Sequence, residues 1–141
     1  MKQNHTRAFF IETAFLTLFV LLALTVLVQV FGKARTMGEQ AAHTSAAALI
    51  VQNVDADFQA GAGAFAALQD PLAKEQDFTL CYNADGTQAE DGAYLVRVQT
   101  TPMSATGHGR LWTAEITVTD TARTDCYADV TAACYYKKGA A

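Results

Sequence analysis

The chain has 141 residues, a formal net charge of −4 and an apolar fraction of 51%. Its charges are unevenly placed: from Lys33 onward, eight Lys and Arg stand against thirteen Asp and Glu. This acidic balance argues against nucleic acid, and against an anionic lipid surface, as a partner of that part of the chain. Beyond its apolar N-terminal segment, the chain has room for one small domain at most.

An apolar run extends from Ala8 to Phe31, and Glu12 is its one charged residue. As a helix, these 24 residues are about 36 Å long, against a hydrocarbon layer of roughly 30 Å. The apolar core of a cleaved secretory signal is shorter, about 7 to 15 residues. No convincing cleavage site with small residues follows the run. The sequence therefore predicts one transmembrane helix over 8–31.

Orientation is predicted from the basic residues on either side of the run. Lys2 and Arg7 lie in a short tail, 1–7, which carries no acid, and Lys33 and Arg35 follow the span in equal number. The positive, very short tail favours a cytoplasmic N-terminus. We therefore expect a single-pass protein of the cell membrane, with the lipid bilayer as a partner and the C-terminal domain outside the cytoplasm.

The helix is predicted to continue beyond the membrane, over 32–60. This segment contains no proline, and Gly61 and Gly63 are expected to end the helix. Its apolar residues recur at helical spacing and would cover a core: Ala47, Ile50, Val51, Val54 and Phe58.

The remaining segment, 72–141, alternates with a period of two. Apolar residues alternate around Leu80, Val96, Ile116 and Val130, and the stretch Thr101–Arg110 is predicted to be a hairpin loop. Such strands, joined by short connections, form an antiparallel meander whose apolar face needs a cover. The predicted fold class is α+β: a long N-terminal α-helix, membrane-spanning in its first half, packed against a 3–4-stranded antiparallel β-sheet.

The three cysteines, Cys81, Cys126 and Cys134, allow two interpretations. Outside the cytoplasm they could form one disulfide and leave one thiol free. Cys126 and Cys134 occupy even positions of one predicted strand, about 26 Å apart if it is straight. A bridge between them needs a turn in between; otherwise Cys81 is the better partner for one of them. Alternatively, all three are small, partly buried apolar residues.

Residues that could support catalysis or bind a metal are scattered. His5, His43 and His108 are far apart in sequence, and no cysteine lies near a histidine at the spacing of a zinc site. No nucleophile has a base beside it in a recognised arrangement. We expect no enzyme activity, no cofactor, no metal and no catalytic residue.

The segment Arg7-Ala8-Phe9-Phe10-Ile11-Glu12, with the apolar run after it, resembles the N-terminus of type IV pilins and pseudopilins, most closely the divergent pilin-like proteins of Gram-positive bacteria. The resemblance implies that a prepilin peptidase removes Met1–Arg7 and that Ala8 becomes a methylated N-terminus. It also implies that Glu12 neutralises the α-amino group of a neighbouring subunit. In that family the leader usually ends in Gly, whereas here the position holds Arg7.

Together these features predict a structural subunit, a minor pilin or pseudopilin, of an assembly like a type IV pilus or a type II secretion apparatus. Its partners would be other pilin-like subunits, contacted through the N-terminal helix. The alternative is an unprocessed single-pass membrane protein with a small extracytoplasmic binding domain.

Overall fold

The structure, a computed structural model, describes residues 3–70, 72–106, 109–122 and 124–137, and the side chains of all of these except 3–6 and 104–106. The chain divides into two compact units, residues 1–41 and 42–141. Helix α1 (Gln3–Ala60) supplies the described part of the first unit and the first element of the second. The second unit also contains a short 3₁₀ helix (Gly63–Gln69) and a sheet.

The described residues form four strands: β1 (Gln76–Tyr82), β2 (Tyr94–Thr106), β3 (Gly109–Asp120) and β4 (Cys126–Lys137). They lie in one sheet in the order β1-β2-β3-β4, and every neighbouring pair is antiparallel. The predicted meander and the α+β fold class are therefore confirmed.

The last four turns of α1 cover one face of this sheet. Ala47, Ile50, Val54 and Phe58 are fully buried, as their spacing of three and four residues requires for one helical face. They pack in a single cluster with buried residues of the sheet and the 3₁₀ helix, namely Phe65, Leu68, Tyr82, Tyr94, Val96, Val98, Trp112, Ala114, Ile116 and Val118. The predicted helical continuation, 32–60, contributes to this core only from Ala46 onward, and 32–45 is exposed.

Gly61 ends α1 in a Schellman motif. Its φ is +61°, its N–H donates to the Phe58 carbonyl, and the Ala62 N–H donates to the Asp57 carbonyl. This pattern satisfies two of the carbonyls that a helix end leaves without a partner. Gln69 Nε2 donates to the Gly61 carbonyl at 2.9 Å and so holds the 3₁₀ helix against the turn.

The predicted loop over Thr101–Arg110 is wrong, because β2 extends to Thr106 and β3 begins at Gly109. Pro102 lies inside β2, beside a register shift between Pro102 and Ser104. A bulge leaves ladder positions unpaired, so it accommodates a residue without an N–H inside a strand. The hairpin is therefore longer than expected.

A second irregularity corrects the predicted alternation of β4. Val118 pairs with Ala128 and Thr119 with Cys126, so Tyr127 is an extra residue in the ladder. Beyond it Ala128, Ala132, Cys134 and Tyr136 pack against the core as predicted, whereas Cys126 is exposed.

Candidate functional site

The most unusual surface of the protein is the N-terminal half of α1. Every described side chain from Arg7 to Ser45 is exposed. The large apolar residues from Phe9 to Phe31 are all at least half exposed, and Phe19 and Val28 reach 71%. A continuous apolar surface of this kind is found on proteins only where lipid or another protein covers it. By length and composition the helix is a candidate membrane span, near the N-terminus.

Three threonine hydroxyl groups in the apolar segment already have hydrogen-bond partners within the helix. Thr13, Thr17 and Thr25 each donate to the carbonyl four residues earlier, at 2.8 Å. Such bonds remove the need for water, so these residues cost little in a lipid environment. The apolar segment 8–31 of the helix can therefore be surrounded by lipid.

Glu12 is different, because no hydrogen bond or ion pair joins its carboxylate to any described residue. Arg7 and Ala8, the other two residues singled out by the sequence, lie on the same helix. Ala8 and Glu12 are four residues apart and so share one helical face. The structure thus places Arg7, Ala8 and Glu12 in neighbouring turns of an exposed helix, without an internal contact between them. The first two residues of the predicted leader, Met1 and Lys2, lie outside the described part of the chain.

One glycine and three polar residues form a stripe at the C-terminal end of the apolar segment. Thr25, Gln29, Gly32 and Thr36 follow one another at spacings of four, three and four, so they occupy one face of α1. A Cβ added to Gly32 would meet no atom within 4 Å. No contact within the described residues therefore explains the small side chain.

The three cysteines are free thiols in this structure. In the strand ladders Cys81 lies opposite Leu95 and Cys126 lies opposite Thr119, on the face of the sheet that points away from the helix. Cys134 packs on the helix side. Cys81 and Cys126 also lie on the two outermost strands, about 14 Å apart across the sheet. The structure therefore contains no disulfide among these three cysteines, which was one of the two interpretations of the sequence. The bulge in β4 makes Cys126 and Cys134 point to opposite faces of the sheet.

An aromatic cluster surrounds His43 at the first turns of the second unit. His43 Nδ1 lies 2.7 Å from the Tyr94 hydroxyl, and its ring stacks on Tyr127 with centroids 5.0 Å apart. The sequence does not indicate these contacts, because the bulge in β4 determines that Tyr127 faces the helix. His108 and the His5 side chain lie outside the described residues.

The face of the sheet that points away from α1 carries a shallow groove. Its rim includes Thr79, Leu95, Thr117 and Thr119, and its one ion pair joins Asp77 to Arg97, with Nε 3.1 Å from Oδ1. The hydrogen bond from Arg97 holds the pKa of Asp77 below its usual value. This carboxylate is therefore already engaged and is poorly suited to act as a general base.

Potential metal ligands do not converge. Among the described residues, no group of three or more His, Cys, Asp or Glu side chains is placed to hold a metal ion. The feature that distinguishes this protein is thus the exposed apolar helix with an acid in its first turns. Comparison of the chain with known protein families, with curated proteins and with solved structures finds no match.

Proposed function

We propose that the protein is a membrane-anchored structural subunit of a pilin-like assembly, held in the membrane and joined to its neighbours through residues 8–31 of α1. The observation that carries the proposal is that one helix serves two purposes. Its first half exposes a mostly apolar surface in which Glu12 is the one charged residue of 8–31, and its last turns contribute to the core of a folded unit. The function is mechanical and requires no catalytic residue.

Glu12 supplies the chemical reason for assembly. A carboxylate without a partner is costly in a lipid environment and is stabilised by a positive group close to it. After removal of Met1–Arg7, the new α-amino group of Ala8 in a neighbouring subunit would provide that charge. The pairing would then make contact between subunits more favourable than solitary insertion in the bilayer.

The stripe of Thr25, Gln29, Gly32 and Thr36 supports side-by-side packing of such helices. Small residues let two helix backbones approach closely in a membrane, and polar side chains can hydrogen-bond across the contact. Gln29 has no hydrogen-bond partner among the described residues, so a neighbouring helix is the natural source of one. The stripe lies at the far end of the span from Glu12, which gives the helix two separate contacts with its neighbours.

Mass analysis of the N-terminus, on protein from the membranes of its native host, tests processing. The proposal predicts the loss of Met1–Arg7 and a methyl group on Ala8. An intact Met1 would instead support the second candidate function, a single-pass membrane protein that is neither processed nor assembled. Arg7 specifically favours this second candidate, because a prepilin peptidase usually cleaves after a small residue.

Replacement of Glu12 by Gln tests the pairing role. Glu12→Gln keeps the size of the side chain and removes its charge, so membrane insertion should be unchanged while cross-linking to neighbouring subunits in native membranes falls several-fold. Glu39→Gln is the matched control, because Glu39 is an exposed acid on the same helix whose partner, Arg35, is internal at 3.2 Å. Equal cross-linking of the Glu12→Gln variant and the wild type would contradict the pairing role.

A further inference from the structure

Strand β4 forms one edge of the sheet. It has 12 residues, and among the described strands only β3 pairs with it. The opposite edge is treated differently. A loop covers the end of β1, where Ala89 N–H donates to the Cys81 carbonyl and Asn83 N–H donates to the Thr87 carbonyl.

Strand β4 is also regular enough to accept another strand. From Ala128 to Lys137 the pairing of β4 with β3 continues without a register shift, and the segment contains no proline. Proteins usually protect such an edge with short strands, prolines, bulges or charges, because an unprotected edge pairs with other chains. Here the bulge lies before Ala128, and the two charged residues of the segment, Asp129 and Lys137, have opposite signs. Val130 is 40% exposed although even-numbered residues around it face the helix. An apolar side chain at this edge therefore lacks a cover.

We propose that β4 pairs with β4 of a second copy of this chain, antiparallel, with the two-fold axis passing through Ala133. The two four-stranded sheets then form one continuous sheet of eight strands. The pairing is independent of the proposed function, since it involves only the second unit, and it adds an interaction surface that the N-terminal helix does not provide.

Geometry and charge select this register. Residues directly opposite each other in an antiparallel pair must point to the same face, so even-numbered residues of one copy must oppose even-numbered residues of the other. Among the registers that satisfy this condition, the axis through Ala133 places Asp129 opposite Lys137 of the second copy, twice by symmetry. On the helix side it places Val130 opposite Tyr136, so the exposed Val130 side chain gains an aromatic neighbour.

The symmetry has a consequence for assembly. Four turns of α1 lie along the sheet, and a two-fold axis perpendicular to the sheet reverses their direction in the second copy. The helical segments that begin at Ala46 therefore run antiparallel in this dimer. This contact between second units is therefore distinct from any side-by-side packing of parallel helices.

Disulfide trapping of the full chain in detergent micelles tests the pairing. In a background of Cys81→Ser, Cys126→Ser and Cys134→Ala, the variant Ala133→Cys places two thiols across the axis, at a separation of about 4.5 to 5.5 Å between Cα atoms. That separation allows a disulfide. Thr113→Cys is the matched control, because Thr113 pairs with Ala133 on the same face of the sheet but lies one strand further in. Its two copies would be about 14 Å apart.

We expect Ala133→Cys to form a disulfide-linked dimer at least tenfold faster than Thr113→Cys. Equal rates would overturn the proposal, since they would indicate random collision or packing of the outer faces. A mixture of Ala133→Cys and Thr79→Cys chains examines the other edge. Faster 133–79 than 133–133 linkage would mean that β4 meets β1 of the next copy, and would also overturn it.

Charge exchange provides a test that leaves the native cysteines in place, under reducing conditions. Asp129→Lys and Lys137→Asp, each alone, put like charges opposite each other and should raise the dimer dissociation constant about tenfold. The double variant restores opposite charges and should return the constant to near its original value. Glu115→Lys, which makes the same change in net charge as Asp129→Lys but on the inner strand β3, should have little effect. Failure of the double variant to restore the affinity lost in both single variants would rule out this register.

Discussion

Gly61 shows how a single residue determines where the long helix ends. Its positive φ is reached by glycine at no steric cost, while other residues pay about 1 to 2 kcal/mol. An added Cβ would also lie 2.3 Å from Gln69 Nε2 and 3.1 Å from Tyr136 Cε1. Glycine is therefore favoured at position 61 both by the positive φ and by the lack of space for a side chain.

Replacement of Gly61 by Ala should destabilise the second unit by about 2 to 3 kcal/mol, the sum of backbone strain and the loss of the hydrogen bond from Gln69. Gly63→Ala separates the two contributions. Gly63 has a φ of +56°, but a Cβ there would meet nothing within 4 Å, so strain of about 1 kcal/mol should be the whole effect. Urea unfolding followed by the fluorescence of Trp112, the one tryptophan in the chain, measures both. Equal losses would contradict the contact with Gln69.

Tyr136 joins the same helix end to the edge strand. Its hydroxyl donates to the Phe58 carbonyl, and its ring meets Phe58 edge-on with centroids 6.0 Å apart. Burial raises the pKa of the Tyr136 hydroxyl, so it stays protonated and keeps donating at any physiological pH. The apolar spacing of the sequence predicted Phe58 as a core residue, but no pattern could indicate this bond between residues 78 positions apart.

Among the elements of the fold, the last turns of α1 show how well helical periodicity predicts which residues are buried. Ile50 is fully buried against the sheet, while its neighbour Leu49 is 41% exposed. The two side chains contain the same number of carbon atoms. Their different burial follows from helical geometry alone, because adjacent residues are about 100° apart around the helix.

Ile50→Ala should lower the free energy of unfolding of the second unit by about 2 to 5 kcal/mol, since it leaves a cavity where α1 meets the sheet. Leu49→Ala removes the same apolar volume from a half-exposed position and should cost about 1 kcal/mol. Trp112 fluorescence during urea unfolding compares the two variants. If both changes cost the same, α1 would not cover the sheet through the face described.

The strands show where periodicity was insufficient. Alternation located all four strands. It failed at Pro102 and at Tyr127, where an extra or mismatched residue shifts the ladder. A bulge changes the face of every residue on one side of it, and it depends on the partner strand. A single segment of sequence does not carry that information.

In the whole molecule, the boundary between residues 41 and 42 separates the unit that contains the apolar segment from the unit that contains the core. All of the buried core residues lie between Ala46 and Val118, within the second unit. The described residues of the first unit contribute nothing to this core. The stability of the folded unit should therefore be independent of the apolar segment.

A fragment that begins at Ala42 should fold without detergent. We expect a mixed helix and sheet circular dichroism spectrum, a blue-shifted Trp112 emission and a cooperative urea transition, because every residue of the core is retained. The full chain in micelles, monitored by the same Trp112 emission, provides the comparison and should unfold at a similar urea concentration. A fragment with a red-shifted emission and no cooperative transition would show that the second unit depends on the first.

The sequence by itself determined the long apolar helix, the position of Glu12 in its first turns, the apolar face of the later turns and the presence of an antiparallel sheet. These features follow from local spacing, because helices and strands bury residues at fixed intervals. Only the tertiary structure decided which way the cysteines face, that His43 contacts Tyr94 and Tyr127, and that β4 is an outermost strand of the described sheet. Each of these depends on how two distant strands align, and alignment is set by contacts across the sheet and not by neighbours along the chain.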